Sequence, residues 1–151
     1  MKVAEALIMR ADVQKTLASL RERLHDAVLI QEGEEPLADS QSIIEEINAK
    51  TEELRTLIIA INRTNLRAKT AQNRSLTEAI ADRDILAQKH AILNEALKAA
   101  SVQNQRYSKT EIRWVRTVDI HALQKDVDAI ALEIRNVNTE IQSANWTVEL
   151  E

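Results

Sequence analysis

The chain has 151 residues, a net charge of −4, one Gly, one Pro, no Cys and no Phe. Sheet proteins need Gly and Pro for their turns, so this composition argues against β architectures, and the lack of Cys excludes disulfides, thiol catalysis and Cys-based zinc sites. The apolar residues are Leu, Ile, Val and Ala, with Tyr107, Trp114 and Trp146 the sole aromatics, which suits thin helical layers: the expected class is all-α, one elongated domain over 1–151 built of long antiparallel helices with coiled-coil seams.

The first helix is predicted over about 3–31, with Val13, Leu17, Leu20, Leu24 and Ala27 alternating steps of four and three. A helix of that length spans roughly 45 Å at about 1.5 Å per residue, more than a compact domain of this size, so it needs partners along its length. Gly33 and Pro36 then mark the strongest turn, because Gly can close a helix in the left-handed region and Pro cannot continue it. The second helix, about 40–67, therefore folds back on the first. It opens near Ser40 or Ser42, where Ser42 and Glu45 match a capping box, and its expected seam is Ile44, Ile47, Thr51, Leu54, Ile58 and Ile61. Between Asn62 and Asn73 the Asn, Thr and Ser side chains compete for backbone hydrogen bonds, which predicts an elbow.

Ser75 and Glu78 form a second capping box opening a third helix over about 75–104, with Leu76, Ile80, Leu86, Leu93 and Leu97 on its stripe and His90 among them. The even spacing of Ile112, Trp114, Val118 and Ile120 is the best strand signal, and it predicts a minor two-stranded β ribbon near 111–118 and 146–150. The fourth helix, about 119–145, carries the most regular pattern in the chain. Ile120, Leu123, Val127, Ile130, Ile134, Val137, Ile141 and Ala144 alternate threes and fours over more than three heptads, the mark of a narrow buried seam.

Charge sets what that seam can meet. Asp119, Asp126, Glu133 and Glu140 make one flank of the fourth helix acidic, so self-pairing gains no ion pairs and an antiparallel contact with a basic neighbour is expected, drawn from Arg21, Arg23, Lys50, Arg55 or Lys69. Charge is also blocked along the chain: 32–54 holds eight acids and one Lys, whereas 55–83 holds six bases and two acids. Such blocks suit subunits meeting head to flank, although charge runs ordinarily only keep helix faces solvated.

Catalytic constellations are not evident. Glu22 and His25 have the spacing of a di-iron ligand pair, but His90 and His121 have no Glu at that spacing, so surface and first-turn roles are preferred for the histidines and no metal or cofactor is expected. No nucleophile elbow or Gly-rich phosphate loop is present; the chain is expected not to be an enzyme. Arg106, Tyr107, Lys109, Arg113, Trp114 and Arg116 form a basic and aromatic cluster that could stack single-stranded nucleic acid or hold an anion. Anchoring of Tyr107 and Trp114 at a subunit contact is the preferred reading, because the chain is acidic overall. The amino-terminal sequence carries charge too early for a signal peptide, and the longest apolar run, 57–61, is far short of the roughly 20 residues of a membrane span. A cytoplasmic location with no membrane contact is expected.

Gln31 to Pro36, Ile61 to Asn65, Arg106-Tyr107-Ser108 with Glu111-Ile112-Arg113, Thr117-Val118-Asp119 and Ala144 to Thr147 together resemble the septicolysin-type family of small bacterial helical proteins. That resemblance implies a long-helix oligomer, with a hexamer among the assemblies it suggests, and its label suggests a cytolysin. A pore former needs a secretion route and a lipid-facing segment, so a lytic role ranks below a structural one. The sequence is thus read as a non-enzymatic, homo-oligomeric scaffold or interaction protein. Its expected contacts are Trp114, Trp146 and the seam Ile120, Leu123, Val127, Ile130, Ile134, Val137 and Ile141; the alternative is anion or nucleic-acid binding through Arg106, Tyr107, Arg113 and Arg116.

Overall fold

The computed structural model describes residues 1–35, 38–101 and 115–151. Its four helices are α1 (Val3–Ala27), α2 (Ser40–Arg67), α3 (Leu76–Ser101) and α4 (Ile120–Thr147). The fold is all-α, and the chain forms two compact units: Met1–Lys69 with Gln142–Glu151, and Thr70–Ile141.

In the first unit α1 and α2 pack as an antiparallel hairpin around Ala6, Val13, Leu57 and Ile61, with Leu7, Leu17, Leu54 and Leu150 against them. Every α1 position in the series Val3, Ala6, Arg10, Val13, Leu17, Leu20, Leu24, Ala27 is buried or half-buried, so the three-four rhythm runs the whole helix. Fully burying a side chain such as Leu20, Ile43 or Ile61 contributes about 1.5–3 kcal/mol.

On α2 the inward series is Ile43, Ile47, Lys50, Leu54, Leu57, Ile61 and Thr64. The predicted seam was right at Ile47, Leu54 and Ile61, whereas Ile44, Thr51 and Ile58 lie exposed. Apolar residues stand side by side at Ile43 and Ile44 and at Leu57 and Ile58, so periodicity fits either set and packing on α1 selects one. Lys50 lays its stem in the seam and reaches Glu53 at 2.8 Å with its ammonium, as long cationic side chains do.

The helix ends follow local chemistry. The α1 helix stops at Ala27, short of the predicted end, and Gly33 (φ 94°) turns the chain afterwards, a conformation open to Gly at little steric cost. Asp39, not Ser42, caps α2: its carboxylate accepts the amides of Gln41 (3.1 Å) and Ser42 (3.2 Å). The helix then runs through the predicted weak stretch to Arg67, where Thr64 Oγ1 donates to the Ala60 carbonyl (2.9 Å) and accepts from the Glu151 amide (2.9 Å). The elbow falls at 68–75, with Asn73 at φ 63°, a region Asn tolerates better than most residues.

The two termini are joined in this unit. The Val3 amide bonds the Val148 carbonyl (3.1 Å), the Leu150 amide bonds the Met1 carbonyl (2.8 Å), and Lys2 forms a single antiparallel bridge with Glu149. The predicted β ribbon is therefore corrected. Trp146 and Thr147 are the last turn of α4, 115–118 forms no strand, and the tail pairs with the chain start instead; 111–114 lie outside the described residues.

In the second unit the Ser75 capping box forms as predicted, Ser75 N donating to Glu78 Oε2 (2.6 Å) and Glu78 N to Ser75 Oγ (3.2 Å). The α3 positions 76, 79, 83, 86, 90, 93, 97 and 100 are all buried or half-buried; His90 is one of them. The α4 helix is capped by Asp119, whose Oδ1 accepts from the His121 (2.9 Å) and Ala122 (3.2 Å) amides, so His121 is a first-turn residue. Arg116 Nε donates to the Ala100 carbonyl (2.7 Å) at one end of α3, and Arg74 grips Glu140 at the other. These ties set α3 and α4 antiparallel.

Candidate functional site

The sequence-predicted contact seam is turned inward. Val127, Ile130 and Ile141 are buried, and Ile120, Leu123, Ile134 and Val137 are half-buried, so this stripe is core within the chain rather than free surface. Trp146 stands 57% exposed on the last turn of α4. Trp114, Arg106, Tyr107 and Arg113 lie outside the described residues, and Arg116, exposed, is engaged through its Nε by the Ala100 carbonyl.

The acidic flank of α4 divides by role. Asp119 caps its own helix, Asp126 and Glu133 are exposed, and Glu140 is buried with a side chain only 5% accessible. Its cation is Arg74, from the elbow before α3: Nε lies 3.0 Å from Oε1 and Nη2 2.5 Å from Oε2, a bidentate fork. Arg74 Nη1 also pairs with Asp82. Three of the five expected basic neighbours are used elsewhere: Arg55 pairs with Glu52 (2.8 Å), Lys50 with Glu53, and Arg23 with Glu46 (3.8 Å) across the hairpin. Arg74 was missed because it belongs to no helical seam; its position directly before a capping box is the signal that could have found it.

The Arg74 hydrogen bonds hold the Glu140 carboxyl below its ordinary pKa against the opposing effect of burial. The Arg74 guanidinium is raised, chiefly by its bond to Glu140. A carboxylate locked in its charged form by a bidentate guanidinium is a poor proton carrier near neutral pH. The arrangement is a clamp on the fold, not acid–base machinery.

Glu22 and His25 lie exposed on α1, where with Arg21 and Asp26 they line an open surface dent, and His25 Nδ1 is 3.3 Å from Asp26. Among the described residues no three His, Asp or Glu side chains come together as metal ligands. No helix among the described residues is long and apolar enough to cross a membrane.

What the fold does leave outside is apolar surface in ordered places. On α3, Ile85 (64% exposed) and Ile92 (60%) stand one heptad apart, with exposed Ala81, Ala96 and Ala99 on the same side. At the hairpin tip Val28, Leu29 and Ile30 are consecutive and exposed, Leu29 at 85%. Near the other end of α2, Leu66 is 66% exposed. The α3 stripe went unnoticed because Ile85 and Ile92 adjoin the inward Leu86 and Leu93, and a sequence does not say which of two adjacent stripes is buried.

A model of a protein family of unknown function, DUF6847, matches residues 10–150. The chain belongs to this family. A solved structure similar to this DUF6847 chain is the crystal structure of a functionally unknown conserved protein from Corynebacterium diphtheriae, at 32% identity and TM-score 0.92 over 100% of this chain and 99% of that one. No curated protein matches the chain.

The resemblance to septicolysin-type proteins is overturned by these findings: the matching family is DUF6847, and neither it nor the structural neighbour points to septicolysin. Two of the stretches behind that resemblance are helix punctuation, the turn after α1 and the cap before α4, which any chain of long helices requires. The hexamer and the cytolytic role drawn from it lose that support.

Proposed function

We propose that this DUF6847 protein is a non-enzymatic, homo-oligomeric helical scaffold or interaction module acting in the cytoplasm. The observation that carries the reading is the outer stripe of α3. Among the described residues each helix already turns one stripe inward, yet Ile85 and Ile92 repeat at heptad spacing on the outside, flanked by small alanines that let another helix approach closely. Scattered exposed apolar residues are ordinary, whereas an ordered stripe marks an interaction surface.

Sedimentation equilibrium of the wild-type chain and of Ile85→Glu/Ile92→Glu tests this. The wild type is expected to run as a multiple of its 17.1 kDa chain mass, and the double variant as a smaller species with unchanged helicity. An unaltered mass in the variant would remove α3 from the contact, and a monomeric wild type would remove the proposal.

A further inference from the structure

We propose that copies of this chain join head to tail, the tip of one α1–α2 hairpin seating on the carboxy-terminal end of α2 in the next copy. This rests on the homo-oligomeric reading above and adds a directional contact to it. The occupant follows from the two ends of a single hairpin. At the tip, Val28, Leu29 and Ile30 present a continuous apolar ridge followed by exposed Glu32, Glu34 and Glu35, none of which has a cation partner among the described residues. Residues 26–54 hold nine acids and one Lys.

The opposite end is the complement. Residues 55–69 carry Arg55, Arg63, Arg67 and Lys69 and no acid. Ile59, Arg63 and Leu66 follow one another at steps of four and three, all exposed, and so share one outer face of α2. Arg67 is already occupied by Glu151 at 2.6 Å, whereas Arg63 and Lys69 have no ion partner among the described residues. Apolar ridge and acids thus face an apolar leucine and free cations.

Tip against tip would place acid on acid, so the ridge is not self-complementary. Its fit is to the other end of an identical hairpin, a heterologous contact that closes into a ring or runs on as a filament. Opposed charges would set the polarity of the contact and make it salt-sensitive, and the apolar residues would supply the burial.

Charge exchange between two variants of the full-length chain provides the test. One variant carries Glu32→Lys, Glu34→Lys and Glu35→Lys; the other carries Arg63→Glu and Lys69→Glu. Each alone has ends of like charge and is expected to associate at least about tenfold more weakly than wild type by sedimentation velocity. An equimolar mixture is expected to recover the wild-type assembly, because each altered tip then meets an end of opposite charge. Recovery also shows that both variants are folded. If the single variants keep the wild-type mass, or if the mixture fails to assemble, the head-to-tail contact is wrong while the homo-oligomeric reading survives. A wild type that is monomeric at low and at high salt overturns both.

Discussion

Two carboxylates in this protein sit on cations at similar distances and answer to different physics. Glu140, in the second unit, lies 2.5 Å from Arg74 with its side chain 5% accessible; Glu149, in the first, lies 2.7 Å from Lys2 and 3.0 Å from the Met1 amine with its side chain 64% accessible. Both are held below the ordinary glutamate pKa, Glu140 chiefly by its bond to Arg74 and Glu149 chiefly by its bond to Lys2. Distance and the direction of the shift are therefore shared, and burial separates them. Water replaces Lys2 at Glu149 with little loss, whereas nothing replaces Arg74 at Glu140.

Removal of Arg74 should separate the two carboxylates most strongly. Arg74→Ala leaves a buried carboxylate uncompensated and is expected to destabilise the fold by about 3 kcal/mol in urea denaturation; a cost no greater than that of Glu149→Gln would erase the distinction. The effect of Glu140→Gln should depend on pH. The folded-state pKa lies below the unfolded one, so the charged pair contributes fully above the ordinary glutamate range and its contribution is lost as pH falls through that range toward the folded value. The variant should be about 2 kcal/mol less stable near neutral pH, with the gap closing in acid, and a gap independent of pH would count against the clamp.

Smaller effects follow from the helix caps. Asp39→Ala should lower stability by about 1 kcal/mol and Ser42→Ala by only a few tenths, because Asp39 alone satisfies the first free amides of α2. Glu149→Gln should have the least effect, shifting the thermal midpoint slightly at low salt and not measurably at high salt, where exposed pairs are screened.

Particular residues show where the sequence was legible. The alternation of threes and fours carried through Val13, Leu20, Val127 and Ile141, all buried as expected, because a helix repeats its face faithfully. Ser75 with Glu78 was readable because a capping box is local. Asp39 was not, since three candidate caps stand within four residues and only the backbone path decides among them. The choice between Ile43 and Ile44, and the identity of Arg74 as the partner of Glu140 across 66 positions of sequence, depend on tertiary register. The basic and aromatic contact candidates Arg106, Tyr107, Arg113 and Trp114 fall outside the described residues. The fold instead leaves Ile85, Ile92, Leu29 and Leu66 uncovered, side chains that composition alone does not distinguish from core.

The mass of the wild-type protein in solution, by sedimentation equilibrium over a wide concentration range at low and at high ionic strength, decides whether the chain self-assembles. The expected result is a multiple of 17.1 kDa at low salt that dissociates toward smaller species as salt screens the charged ends. A constant 17.1 kDa under every condition would contradict it.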